Sequence, residues 1–475
     1  MTKQDCFQAI DAAAPELIAL SDDIWSYAEL SLQEVKSAKR YVDFLRKTGF
    51  TVETGIAGIE TAFIATYGHG KPVIGILAEY DALSGLSQQA CTTEKAAHIP
   101  GGCGHGCGHN LLGAGALAAA LGVQQYLAAG HSGTVKLFGC PGEEGCAAKA
   151  FMAQQDIFRT VDAALTWHPG DTNEVVSGRS QTSLQVLYTF HGIASHAAES
   201  PHMGRSALDA VELLNIGVQF LREHIPHTDA LHYAILNSGG ASPNVVQPEA
   251  SVLYMLRSDN VPNAKKLMDR LDNIARGAAL MTDTTMERRF IDGTSDTVPN
   301  TTLEQAIYRN MHSLGVPTYT EAELSFAAAL RETYPHSTLP GSVWKVDEEC
   351  IEEIFRLTQE GTKPLNDFLM PYRTSNQSKF GSTDVGDVSY QTPTAQLTAV
   401  TWTSNAPGHS WQNVSIGKHS IAHKGMLYAG KILCATAIDL LENNTLLEAA
   451  RQEWIRKTCD GYTCPIEEGT VPKIL

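Results

Sequence analysis

Three apolar runs constrain the fold of this chain more than any other feature. The run Val73–Ala78 (VIGILA) and the stretches TVKLFG and AALTW are nearly continuous in apolar residues. A strand wetted on one side alternates apolar with polar residues. A strand covered on both faces reads as an unbroken apolar run, as in a parallel sheet between helix layers. The Ala-rich stretch NLLGAGALAAALGVQQYLAAG predicts a helix closing on Gly130, and PELIALSDDIWSYAELSLQEVKSAKRYVDFLRKTGF predicts N-terminal helices ending at Gly49. Buried strands alternating with helices predict an α/β domain with a mostly parallel sheet. TAFIATYGHGK turning into PVIGILAEYDAL is expected to form a strand pair.

The chain has 475 residues, which suggests more than one core. From about Ser183 the pattern changes to strand, helix, strand, strand, helix, strand. That order is a ferredoxin-like α+β unit. We therefore expect residues 184–297 to be inserted into a larger α/β domain made of 1–183 and 298–475.

In open α/β sheets, ligands bind beyond the carboxyl ends of the strands. There the first run offers Glu79 and Asp81, the second Glu143 and Glu144, and the third His168. The segment GGCGHGCGHN before the Ala-rich helix adds His105, Cys107 and His109. Carboxylates, imidazoles and a thiol delivered to one edge suit a metal site spread over the fold. Other readings stand beside it. Cys103 and Cys107, four apart, could form one zinc knuckle, but no C-x2-C pair stands nearby to make a second. Their spacing is not the redox Cys-x-x-Cys. No phosphate-loop lysine follows the glycines. Paired glutamates are often a solvated turn, and a single histidine is often a core residue. In a hydrolytic metal site, one glutamate of a pair binds metal while its neighbour takes a proton from water.

The net charge of −17 argues against nucleic acid and anionic membrane, but leaves room for a small anionic substrate near a local arginine or metal. The first residues, MTKQDCFQAIDAAAPELIAL, carry acidic groups where a signal peptide needs a basic end, and no apolar run nears 20 residues. A cytoplasmic location is expected. The ten cysteines then read mostly as buried thiols. Cys459 and Cys464 have no nearby histidine to suggest a metal.

HGCGHN with its Ala/Gly-rich helix, PGEEG, TWHPG and HGIASHAAESPHMGRSALDAV together resemble the dinuclear metallo-amidohydrolases, in the branch of aminoacylases and hippurate hydrolases related to glutamate carboxypeptidases. GSTDVGDVSY, GHSWQ and SIAHKGMLYAGK resemble the subgroup that hydrolyses p-aminobenzoyl-glutamate. The resemblance covers nearly the whole chain and implies a metallopeptidase-like catalytic domain with an inserted lid and dimerisation domain. It implies two divalent ions, zinc or manganese, bridged by Cys107, with His109, Glu144, His168 and His409 as further ligands. Glu143 is then the general base and acid. His196 comes from the lid to stabilise the oxyanion in a neighbouring protomer. Asn244 and Arg257 hold the substrate carboxylate, although a strand-end turn and a surface arginine are their plain alternatives. The implied products are p-aminobenzoate and glutamate, and the implied assembly is a homodimer or a heteromer with a related A subunit.

Several positions depart from the pattern. Asn110 stands where many relatives have Asp, and Glu79-x-Asp81 replaces Asp-x-Asp or His-x-Asp. Asp81 is therefore expected to orient a ligand histidine rather than bind metal. His105 is open to the same role. Asp384 and Asp387 read as a solvated loop with a place in the site as the alternative. The competing functions are a broader N-acyl-amino-acid or dipeptide hydrolase, a non-catalytic partner subunit, and a structural zinc protein.

Overall fold

The computed structural model describes residues 1–340, 348–375, 378 and 381–473. The strands are β1 (Thr51–Thr54), β2 (Phe63–His69), β3 (Val73–Ala78), β4 (Gly133–Gly139), β5 (Ala163–Gly170), β6 (Glu174–Val176), β7 (Thr182–His191), β8 (Ala230–Asn237), β9 (Glu249–Ser258), β10 (Thr285–Thr294) and β11 (Thr394–Val400). The helices used below are α1 (Lys3–Tyr27), α2 (Val35–Lys47), α3 (His109–Ala128), α4 (Ala148–Gln154), α5 (Ala207–Arg222), α6 (Val261–Thr282), α7 (Thr301–Leu314), α8 (Val385–Gln391), α9 (Ser420–Glu442) and α10 (Asn444–Lys457).

The larger sheet has seven strands in the order β1-β2-β4-β3-β5-β11-β6. Its centre, β4-β3-β5-β11, is parallel, while β1, β2 and β6 pair antiparallel at the two edges. β2 and β3 do not pair as expected from sequence. β4 lies between them, antiparallel to β2 and parallel to β3. The crossover through α3 places β4 there, and apolar periodicity does not reveal strand order. A second sheet of four strands, β10-β7-β9-β8, is antiparallel, with α5 and α6 packed against it. It spans 182–294, and its apolar core runs on into Ile59, Ala62 and Phe151 of the larger unit.

α3 is the centre of the larger unit, packed against α1, α9 and the strands β3, β4 and β5. Its small residues allow that closeness. A Cβ on Gly115 would meet the Trp167 indole at 2.7 Å, and one on Gly430 of α9 would meet the Ala118 Cβ at 2.8 Å. α3 is the one helix among the described residues long and apolar enough to cross a membrane, and it is largely buried inside the protein. This corrects the expectation that no apolar stretch reaches that length. Ala-rich packing on all sides, rather than a bilayer, accounts for its composition.

α10 locks α7 in place through one carboxylate. Glu453 accepts hydrogen bonds from the Thr301 and Thr302 amides at 2.8 and 2.9 Å, the Thr302 hydroxyl at 2.7 Å and Lys457 at 2.8 Å. Burial opposes its ionisation, but Lys457 and the Thr301–Thr302 donors hold it at about 2. A depressed carboxylate stabilises the fold above its unfolded pKa and loses that contribution as pH falls through its folded value. We expect Glu453→Gln to lower stability by about 1–2 kcal/mol at neutral pH. In urea unfolding, the gap from the parent should narrow as pH falls from about 5 toward 2. A gap independent of pH would exclude the charge as its origin.

Candidate metal centre

β3, β4 and β5 run parallel, so their carboxyl ends share one edge. Glu79 and Asp81 follow β3, Glu143 and Glu144 follow β4, and His168 lies near the end of β5. Cys107 and His109 stand where the loop enters α3. Gly108 makes that entry possible with φ +77°, and a Cβ there would also come within 2.9 Å of Pro169. His409 arrives from residues 405–410 with φ +51°.

The ligand-type atoms fall into three groups, each within 4.8 Å: Cys107, His109 and His168; Cys107, Glu144 and His409; and Glu79, His109 and Glu143. Two of the groups share Cys107, as two neighbouring ions bridged by one thiolate would require. Cys107, Glu143, Glu144, His168, His409 and Glu79 line a cavity of about 190 Å³.

Hydrogen bonds set the imidazoles for coordination. His168 donates Nδ1–H to the Pro169 carbonyl at 2.7 Å, leaving Nε2 as the acceptor nitrogen, 3.4 Å from the Cys107 Sγ. His109 donates Nδ1–H to Asp81 Oδ1 at 2.8 Å, and its Nε2 faces the cluster with no hydrogen-bond partner. Glu144 Oε1 is likewise buried without a hydrogen bond, with His409 Nε2 at 3.2 Å. Buried polar atoms aimed at one point, presenting sulfur, nitrogen and oxygen, fit divalent metal.

Asp81 is a brace. Its Oδ2 accepts from the Glu144 amide at 3.0 Å and the Ser31 hydroxyl at 2.9 Å. Burial pushes its pKa up, but His109 and these donors outweigh burial and hold it at about 2. Glu143 behaves oppositely. Burial, then the carboxylates of Glu79, Asp384 and Glu144, push it well above the usual range. Burial and His109 lower His168, favouring the neutral ligand form.

His105 is buried but turned away, with Nε2 on the Ile24 carbonyl at 3.0 Å. Asn110 donates to Ser21 at 3.1 Å and lies outside the cluster. Asp384 and Asp387 are not in a solvated loop, as their default reading held. Asp384 accepts from the Lys149 amide at 2.9 Å and pairs with its ammonium, which also binds Glu79 at 2.6 Å. Asp387 accepts from the Ser295 amide at 3.0 Å and hydroxyl at 2.7 Å, and from Tyr462 at 2.8 Å. The physical reason is close packing: Gly386 lets α8 approach Ser295, whose carbonyl a Cβ there would overlap, and this sets the two carboxyls against buried donors.

The structure does not bring His196 or Asn244 to the cluster. Both are exposed, on adjoining segments joined by the Ala197 amide to the Asn244 carbonyl at 3.0 Å. Arg257 is half-buried, not a surface arginine, and donates to the Ser382 hydroxyl at 3.0 Å; Ser382 lines the cavity. Sequence reasoning missed Lys149, Ser31 and Glu34. Glu34 accepts from the Gly142 amide at 2.8 Å and thereby holds the turn carrying Glu143. A lone lysine in the otherwise apolar run AKAFMA was the one available signal.

A family model described as Peptidase family M20/M25/M40 matches residues 75–367. Among curated relatives, one of the subunits of p-aminobenzoyl-glutamate hydrolase from Escherichia coli (strain K12) is 44% identical over 471 residues, covering 98% of each chain. Xaa-Arg dipeptidase of Mus musculus is 26% identical over 469 residues, covering 96% of this chain and 92% of the relative. Among solved structures, the fold is similar to an aminobenzoyl-glutamate utilization protein from Klebsiella pneumoniae, with TM-score 0.57, 16% identity, and 88% and 97% of the two chains covered. It is also similar to a dinuclear metal binding peptidase of the M20 family from Bacillus subtilis, with TM-score 0.56, 18% identity, and 91% and 99% covered.

Removing the brace should show in metal content. We expect Asp81→Asn to weaken metal binding about 10–100-fold, read by competition against a chelator, with the thermal unfolding of the metal-free protein shifted far less. Equal affinity in the two proteins would refute the role given to Asp81.

Proposed function

This chain is a member of peptidase family M20/M25/M40, a family of hydrolases, and from that premise we propose that it cleaves the amide bond of p-aminobenzoyl-glutamate to p-aminobenzoate and glutamate. The observation that carries the reading is the pair of ligand groups sharing Cys107, with the Glu143 carboxyl beside them in one cavity. The substrate comes from the relative with 44% identity across the chain.

Cys107, His109, His168, Glu144 and His409 would hold two divalent ions, zinc or manganese, which suit a mixed thiolate, imidazole and carboxylate set. Bound there, such ions supply Lewis-acid polarisation and a lowered water pKa. Glu143 accepts the proton of the attacking water and returns it to the leaving nitrogen as the C–N bond breaks. Its raised pKa in the buried acidic surroundings suits a group that carries a proton between steps. Arg257 and Asn244 bind the substrate carboxylate. Residues 184–297 act as a lid, and the exposed His196 reaches the active site of a neighbouring protomer, where its imidazole stabilises the oxyanion. The assembly is a homodimer or a heteromer with a related A subunit; the Escherichia coli relative, itself one subunit of a hydrolase, supports the heteromer. A broader dipeptide or N-acyl-amino-acid hydrolase is the second reading, favoured by the likeness to Xaa-Arg dipeptidase.

The test is hydrolysis of p-aminobenzoyl-glutamate by the purified protein with added zinc or manganese. We expect Glu143→Gln to lower kcat by about 10²–10⁴-fold while bound metal per chain stays that of the parent. Hydrolysis of N-acetyl amino acids or dipeptides instead would keep the chemistry and replace the substrate. Metal bound with no hydrolysis of any of them would favour a non-catalytic partner subunit.

A further inference from the structure

Thr166, His168 and Gln396 bring one face of the larger sheet to the cavity, and two rows of residues run along that face beside the cluster. Register aligns Thr166 of β5, Gln396 of β11 and Val176 of β6 in one row, and His168, Thr398 and Glu174 in the next. Residues paired in register share a face. The intervening Trp167, Leu397 and Val175 belong to the core on the opposite face. Thr166 and Gln396 line the cavity with His168.

Two observations give this face a chemical preference. The Thr166 and Thr398 hydroxyls are buried without hydrogen-bond partners. The Glu174 carboxylate, partly exposed two strands from His168, has no hydrogen bond or ion pair among the described residues. At a strand spacing of about 4.8 Å it stands about 10 Å from the metal-facing strand. Among the residues of these two rows, the one acid is Glu174 and none is a lysine or arginine. On a different wall, the loop before α8, Arg257 reaches the cavity through Ser382. Arg257 thus stands behind the cavity wall at Ser382, and Glu174 stands beyond the lining, further along the sheet face from Thr166 and Gln396.

We infer that Thr166, Gln396, Thr398 and Glu174 form the acyl subsite, and that it selects amides whose acyl group ends in an N–H donor such as an arylamine or ammonium. This rests on the amide-hydrolase reading above. The carboxylate half of the substrate lies toward Arg257 and the acyl half runs along the sheet, so its terminal nitrogen meets Glu174. A site arranged to accept a substrate N–H discriminates against the analogue that lacks it.

The test compares p-aminobenzoyl-glutamate with benzoyl-glutamate, which differ only in that nitrogen. The metal-loaded wild type should favour the amine by about tenfold or more in kcat/KM. Glu174→Leu, and separately Gln396→Val, should bring the ratio to within about twofold of unity, the loss falling on the amine-bearing substrate. A structural defect would lower both substrates together and leave the ratio unmoved. A wild-type ratio near one, or a ratio kept in both variants, would overturn the inference. If wild type hydrolyses neither compound, the substrate assignment fails by itself. The subsite is then read from binding of p-aminobenzoate against benzoate to the zinc-loaded protein. A preference lost in the variants supports it, and no preference overturns it.

Discussion

The centre depends on one buried carboxylate. Asp81 fixes the tautomer of His109 through one oxygen and grips the Glu144 amide and the Ser31 hydroxyl through the other. Three segments that are distant in sequence meet on this side chain: the turn between α1 and α2, the acidic turn after β4 and the first turn of α3. Glu34 repeats the device one step away by holding Gly142. The N-terminal helices therefore do more than cover the sheet. They supply the anchors that keep the acidic turn facing the thiol.

Charge balance follows from the same arrangement. Glu79, Asp81, Glu143, Glu144 and Asp384 crowd a small volume, and Lys149 is the buried ammonium set among them. Lys149 is committed to Glu79 and Asp384. Burial works against its charge, but those two carboxylates keep it firmly protonated. Asp81 is matched by His109. Glu144 faces His409 at 3.2 Å, which leaves Glu143 as the cavity carboxyl with no ion pair among the described residues. An uncompensated buried carboxylate either takes up a proton or recruits a cation. Glu143 shows the first response, and Glu144 Oε1 and His109 Nε2, which lack hydrogen bonds and face only His409 and Glu79 at 3.2 and 3.3 Å, are placed for the second.

Much of this is legible in the sequence. Unbroken apolar runs disclose the doubly covered strands, and the residues just after them disclose the edge where the cluster gathers, because parallel strands must end on one side. Cys107 does come within reach of His109 and His168 in one group and of Glu144 and His409 in another. Strand order is not legible: β4 separates β2 from β3, and pairing depends on the path of the crossover. The roles of Lys149, Ser31 and Glu34 are hidden because each acts through a contact spanning tens to hundreds of residues, which no local pattern encodes. Asp384 and Asp387 mislead for a related reason. A Gly-rich acidic stretch looks solvated until the donors that bury it, Lys149, Ser295 and Tyr462, are known.

The entry into α3 carries one more consequence. Gly108 sits between Cys107 and His109, and Pro169 follows His168. With no room between them for even a Cβ, the loop and the strand touch backbone to ring. The spacing of thiol and imidazole is thus set by the chain itself and not by the ion that would lie between them. A pair preset in this way should need little ordering of the chain when an ion binds, leaving most of the affinity to the bonds themselves.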